Sequence, residues 1–427
     1  MIPIYQSKNF QENFLNIKKE NQVDEKVYQV AKEVIADIRV NGDVALEKYV
    51  AKFDRSVPKN WEVTTEERES AWNQVDPNTI DALKRAGANI KAFHKKQLQS
   101  SKFMQVDSDI VSGQLFRAIE RVGIYVPGGT ACYPSSVLMN AIPAVLAGVD
   151  EVIMVTPARD GEEIAPILSV AADIAGVDRI FKIGGIQAIA ALTYGTESVP
   201  TVDKIVGPGN AYVAAAKSLV FGDVGIDMIA GPSEVAIIAD DTANPVYVAA
   251  DLIAQSEHDK NARSFLFSTS KSLIEATNKE VEKQCAVLPR QEIAGASLQE
   301  KSALVYVSDI EEAFRLANKL APEHLEIQLD NPLDYLGKIK NAGSVFLGHY
   351  TPESLGDYYA GPNHVLPTSG TARFSSGLSV DDFIKKTTFL YYSENALQQA
   401  SDDVMTIAKE EFLDGHARAV EKRLKKN

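Results

Sequence analysis

Between Asp24 and Phe53 the apolar residues fall at helical spacing: Val27, Val30, Ala31, Val34, Ile35 and Ile38, then Ala45, Leu46 and Tyr49 beyond Gly42. That stripe predicts a helical layer. From Arg121 the pattern shortens to apolar runs of β type, which predict strands at 121–126, 151–155, 179–183, 202–206 and 234–239. Small-residue segments between them predict helices at 135–147, 163–175, 186–194 and 210–221. Alternation of this kind implies right-handed βαβ units and a mostly parallel sheet. A second set follows, with strands near 263–268, 303–307 and 343–347 and helices at 245–257, 271–284 and 310–320. The expected fold class is therefore α/β, with two doubly wound, Rossmann-like parallel-sheet domains. After Gly377 the pattern predicts helix again, over 381–386 and 396–426, and no internal repeat or low-complexity segment is seen.

Composition narrows the function. Forty-five per cent apolar residues over 427 positions allow two or three domains with substantial cores. A net charge of -14 speaks against nucleic acid, whose phosphates call for a basic surface. Cys132 and Cys285 lie far apart and form no disulfide framework, in keeping with a reduced cytoplasm. The first twenty residues lack the basic-then-apolar order of a secretion signal, so a cytoplasmic protein is expected. The uncharged run Val122–Val149 has the length of a membrane span. It contains Pro127, Pro134, Pro143 and Asn140, and so reads better as strand, loop and helix.

Three glycine-rich turns follow predicted strands: VPGGTACYPSS (126–136), IGGIQA (183–188) and VGPGNAY (206–212). At a strand-to-helix junction, backbone N–H groups and a helix N-terminus can hold an anion or nucleotide, although none matches GxGxxG. Singly each is an ordinary tight turn. Their recurrence along one sheet edge is what points to a nucleotide.

Four of the six histidines sit beside acidic or amide side chains, in QSEH (255–258), APEH (321–324), GDYYAGPNH (356–364) and EEFLDGH (410–416). Such a mixture of oxygen and imidazole donors suits zinc or a similar divalent metal. No cysteine stands near them, which favours a catalytic site with an open coordination position over a structural one. Gln255 and His258 are three apart on one helix face, whereas Glu257 points elsewhere. Glu323 and His324 follow Pro322 and should be extended, offering a carboxylate and an imidazole for two distinct proton transfers. A buried hydrogen-bonded couple would look the same in sequence. The glycine-rich stretch 343–377 carries Asp357 and His364 and reads as a long functional loop. Glu411 and His416 are five apart, about 140° around a helix, so a left-handed Gly415 is expected to end the helix and fold His416 back.

Taken together, these segments resemble the histidinol dehydrogenase family, most specifically through VPGGTACYPSSVLMNAIPAVLAGV (126–149), KIVGPGNAYVAAAK (204–217), IAGPSE (229–234), QSEH, APEHLEI and GDYYAGPNHVLPT (356–368). The resemblance covers nearly the whole chain. It implies four-electron oxidation of L-histidinol to L-histidine through the aldehyde, using two NAD+ in succession and one zinc ion per subunit. Gln255, His258, Asp357 and His416 match the family's zinc ligands, and Glu323 and His324 its acid/base pair. Tyr125, Gln187 and Asn210 match nucleotide-contacting positions. Ser233, His364 and Glu411 match positions that hold substrate, joined there by Gln255, His258, His324, Asp357 and His416. FLDG between Glu411 and His416 departs from the expected stretch.

The organisation implied is an N-terminal extension (1–20), a first α/β domain from 21–125 and 234–378, a second from 126–233, and a C-terminal helical tail (379–427). The tail would be exchanged in a homodimer with composite active sites. Alternatives are a related zinc- and NAD-dependent dehydrogenase acting on another polar alcohol, or a zinc hydrolase or nucleotide-binding module without redox activity.

Overall fold

The computed structural model describes residues 1–15, 25–54, 57–128, 132–158 and 162–424. Residues 129–131 of the first glycine turn, 16–20 of the expected extension, the adjoining 21–24 and the end of the tail lie outside the described residues. The chain forms two compact units, Met1–Gln97 with Glu120–Phe383, and Leu98–Ile119 with Ile384–Asn427. The described strands, in chain order, are β1 (Ile4–Gln6), β2 (Lys102–Val106), β3 (Ile110–Ala118), β4 (Arg121–Tyr125), β5 (Glu151–Val155), β6 (Arg179–Phe181) and β7 (Lys204–Val206). They continue with β8 (Gly225–Ile226), β9 (Glu234–Ala239), β10 (Arg263–Ser268), β11 (Ala303–Tyr306), β12 (His324–Gln328), β13 (Ser344–Leu347) and β14 (Ile384–Tyr392).

The larger unit holds two parallel sheets, one ordered β6-β5-β4-β7-β8 and the other β1-β11-β10-β9-β12-β13. The expected α/β class with doubly wound parallel sheets is what the chain adopts. In each sheet the strand order reverses once, between β4 and β7 and between β9 and β12, which opens a crevice at each reversal. The helices Pro134–Ala147, Pro166–Ala175, Gly185–Tyr194 and Ala211–Val220 link strands of the first sheet, and Pro245–Ser256 and Ile310–Leu320 those of the second. No helix among the described residues is long and apolar enough to cross a membrane.

Three expectations are corrected. Arg121–Tyr125 and the helices before it were grouped with 234–378. Instead β4 is the central strand of the five-stranded sheet, and Val34, Ile38 and Leu46 of helix Glu25–Phe53 share a core with Phe181, Ile189 and Val213. An amphipathic stripe specifies that a helix packs, not onto which sheet. Second, the predicted helix 381–386 is a short 3-10 turn, Val380–Phe383, that leads directly into β14. The nine residues IKKTTFLYY, rich in Thr and aromatics, pair antiparallel with β3, and β2 completes a three-stranded sheet in the smaller unit. The tail is thus strand plus helix, joined to a hairpin more than two hundred residues upstream. Third, the helix Glu394–Glu410 is ended by a left-handed Phe412 (φ 59°) rather than by Gly415, and a second helix, Asp414–Leu424, carries His416 in its first turn. Even the segment expected to be a mere extension contributes β1 to the edge of the six-stranded sheet.

Candidate active site

Strand β12 reads HLEIQ, so the two-residue period puts His324, Glu326 and Gln328 on one face. Facing them, helix Pro245–Ser256 presents Asp251 and Gln255 four residues apart. The two rows interlock. Gln328 Nε2 donates to Asp251 (2.8 Å) and Glu326 (2.9 Å), while His324 Nδ1 lies 3.0 Å from Gln255 Oε1. Glu326 Oε1 accepts the backbone N–H of Glu353 at 3.1 Å and so anchors the start of helix Glu353–Tyr358. One turn along that helix is Asp357. As a result, donor atoms of His258, Glu353 and Asp357 lie within 4.8 Å of one another.

Burial sets the charges here. Glu323, immediately before β12, accepts the Glu234 N–H at 3.0 Å; desolvation, then the nearby Glu234 and Asp357 charges, push its carboxyl well above the usual range. His324 is driven down to about 3 by burial and then by His258, and is therefore a neutral imidazole. Desolvation raises Asp357 to about 7 and lowers His364 to about 4. His258, open to solvent on one side, is also held below the ordinary histidine range, chiefly by desolvation. His364 Nδ1–H donates to the Asp357 carbonyl (3.1 Å), and its Nε2 lies 3.4 Å from Ser136 Oγ on helix Pro134–Ala147.

The Gln255 amide has two orientations, each matched to a charge state of Glu353. With its nitrogen toward an ionised Glu353, at 2.9 and 3.2 Å, it also donates to a bare His324 Nδ1 at 3.0 Å. With its oxygen there, it needs a protonated Glu353 and a hydrogen on Nδ1. Desolvation, then Asp357 and Glu326, raise Glu353 well above the usual range, while the first orientation is the one that satisfies the amide beside an ionised Glu353. With a hydrogen on Nδ1, Nε2 is the basic atom of His324. Nε2 is buried and has no hydrogen-bond partner among the described residues.

The other sheet offers a different edge. Tyr125 ends β4, and its Oη accepts the Gly185 N–H at 3.1 Å. Gln187 Nε2 donates to Asp54 at 3.1 Å, but its fully buried Oε1 has no partner. Asn210 Oδ1 caps helix Ala211–Val220 through Tyr212 N–H (3.0 Å) and Val213 N–H (3.2 Å), leaving the amide nitrogen for a ligand. Gly207, at φ +107°, lies so close to β4 that an added Cβ would sit 2.2 Å from the Tyr125 carbonyl oxygen. Beneath this turn the buried Lys217 and Asp227 form an ion pair; Lys217 also donates to the Gly207 carbonyl (3.0 Å), and Asp227 accepts the Gly207 N–H (2.8 Å).

Comparison with known proteins resolves the family. The sequence matches the histidinol dehydrogenase family over residues 17–424. It is 52% identical over 413 residues to a histidinol dehydrogenase of Streptococcus mutans, covering 97% of this chain and 96% of that one. A histidinol dehydrogenase of Clostridium acetobutylicum is also 52% identical, over 416 residues, with 97% and 96% covered. The crystal structure of histidinol dehydrogenase from Elizabethkingia anophelis superposes with a TM-score of 0.93 at 39% identity, over 99% of this chain and 98% of that chain. The chain belongs to the histidinol dehydrogenase family. It is an oxidoreductase.

For a histidinol dehydrogenase family member, the anticipated residues converge unevenly. Gln255, His258, Glu323, His324, Asp357 and His364 meet around the start of β12, and Ser233 directly precedes Glu234, whose N–H Glu323 accepts. Tyr125, Gln187 and Asn210 stand at the carboxyl edge of the five-stranded sheet. Glu411 and His416 belong to the smaller unit, where both are exposed at helix ends. The sequence reading missed Glu353, whose four-residue spacing to Asp357 was a usable signal, and Glu326 and Gln328, which repeat the His324 face at period two. Ser136 and Asp54 carried no signal in sequence.

Proposed function

We propose that this chain oxidises L-histidinol to L-histidine through histidinal, with two NAD+ as successive hydride acceptors and one zinc ion per subunit. The observation that carries the reading is the meeting of the His258, Glu353 and Asp357 donor atoms within 4.8 Å, beside the buried pair Glu323 and His324. An imidazole with carboxylate and amide oxygens suits zinc, and the unpaired Gln187 Oε1 together with the close Gly207 turn suits a nucleotide. Gln255, His258 and Asp357, with His416, would hold the metal. Once bound, it supplies a Lewis-acidic anchor for the imidazole and amino nitrogens of histidinol.

His324 Nε2 takes the hydroxyl proton while the carbinol carbon gives its hydride to NAD+. Its buried setting keeps the imidazole neutral for that task. Glu323, a stronger base than a surface carboxylate, takes a proton from the water that adds to the aldehyde. His324 returns its first proton to the oxygen that becomes a hydroxyl of the hydrate. It then takes the hydrate's hydroxyl proton as the second hydride passes to the second NAD+, so that two hydrides carry the four electrons. Ser233, His364 and Glu411 hold the substrate in line.

We also infer a cytoplasmic homodimer in which Glu411 and His416 of one copy complete the site of the other. The exposed Phe103, Met104 and Val106 on β2 and Leu390 and Tyr391 on β14 support an apolar contact surface in the smaller unit. The deciding experiment supplies histidinol and NAD+ to the zinc-loaded protein and follows NADH absorbance. Two NADH per histidinol are expected, and no NADH, or NADH only from another alcohol, would overturn the assignment.

A further inference from the structure

Asp54 lies just beyond helix Glu25–Phe53, half-buried, and its Oδ2 accepts the Gly184 N–H at 3.4 Å and Gln187 Nε2 at 3.1 Å. An ionised carboxylate only accepts, so Gln187 must turn its nitrogen toward Asp54 and its oxygen away. That oxygen is buried without a partner, while Gln187 itself has no exposed surface. A buried carbonyl oxygen left unpaired is costly and calls for a donor. Gly185 flanks it. The Cβ position of Gly185 is 2.9 Å from Gln187 Oε1, and its N–H points to Tyr125 Oη at 3.1 Å. Because the phenol oxygen already accepts there, its own hydrogen is left to donate. Burial keeps it in place by pushing Tyr125 up to about 12. One acceptor and one donor around a single glycine match a group that does both, which a hydroxyl does.

We propose that Asp54 is a positioning residue of the nucleotide site, locking the Gln187 amide so that Oε1 and the Tyr125 phenol together receive a ribose hydroxyl of NAD+. This rests on the nucleotide reading of Tyr125, Gln187 and Asn210 given above.

The test is calorimetric titration of the zinc-loaded protein with NAD+ and, separately, with ADP-ribose, which has the ribose hydroxyls but no nicotinamide. Asp54→Leu should raise both dissociation constants about tenfold, with zinc content and histidinol affinity unchanged. Asp54→Asn, whose carbonyl oxygen still accepts, should bind more tightly than Asp54→Leu. Gln187→Glu sets two carboxylates face to face and should weaken both ligands. Adding Asp54→Asn gives the new carboxylate a donor and should recover most of the loss. A double variant no better than Gln187→Glu alone would overturn the proposal, as would ADP-ribose binding indifferent to Asp54→Leu while Gln187→Ala weakens it. If neither Gln187→Ala nor Asn210→Ala weakens NAD+, the nucleotide site itself is misplaced and the proposal falls with it.

Discussion

The candidate residues of the two parallel sheets in the larger unit lie at opposite edges. In the five-stranded sheet the candidate nucleotide residues lie at the carboxyl ends of β4, β6 and β7, the last two of which lead into helices Gly185–Tyr194 and Ala211–Val220. In the six-stranded sheet Glu323 and His324 stand at the start of β12, and Gln255 and His258 at the end of helix Pro245–Ser256. Helix N-termini carry partial positive charge and exposed N–H groups, which favour phosphates; helix C-termini carry the opposite sign and favour cations. One chain thereby offers a candidate anion edge and a candidate cation edge. The first is built from backbone turns, and the second from buried titratable side chains.

The largest expected effect is confined to the cation edge. His324→Asn should lower kcat for histidinol by about 10²- to 10⁴-fold while the affinity for NAD+ stays unchanged. Glu323→Gln should slow oxidation of supplied histidinal more than the alcohol step, measured as separate half-reactions. Equal losses in both steps would reduce Glu323 to general positioning.

At the anion edge the largest effect should come from beneath the turn. Lys217→Met leaves Asp227 buried and unpaired, a loss of about 3–5 kcal/mol in unfolding free energy, seen as a lower denaturant midpoint. Pairing it with Asp227→Leu should recover much of that stability. A single variant as stable as the parent would mean that water reaches the pair.

A smaller change should separate the edges cleanly. Gly207→Ala forces a positive φ on a residue with a side chain and pushes it into β4, a strain of about 1–3 kcal/mol. NAD+ affinity should fall while zinc stoichiometry holds; parallel loss of both would show that the edges are not independent. The mildest readout asks whether the cation edge is complete within one chain. Refolding Asp357→Asn together with His416→Asn pairs subunits at random, so about half the dimers are mixed and half their sites intact, and roughly one quarter of wild-type activity should return. Mixed dimers without activity would place the tail in its own subunit's site.

Legibility in sequence followed the range of the interactions. The spans 151–155, 234–239, 263–268 and 310–320 read from hydropathy coincide with the observed elements, because a short apolar run or stripe between turn residues is a local signal. The chemistry of the candidate donors was equally local: QSEH, APEH and GDYYAGPNH each bring oxygen and imidazole groups together within a few residues. The strand IKKTTFLYY is not predicted, and the helix expected over 381–386 overlaps its first three residues, because its partner β3 lies far upstream and only pairing reveals it.

What the sequence by itself determined is the class of the fold, its family and the kinds of atom gathered for chemistry. Tertiary structure alone decided that Glu353 stands with His258 and Asp357, that Asp54 turns Gln187, and that helix Glu25–Phe53 covers the five-stranded sheet. It also decided protonation, raising Glu323 and Glu353 and lowering His324. Side-chain type and spacing are properties of a chain segment, whereas desolvation and the field of neighbouring charges exist only once distant segments have closed around a group.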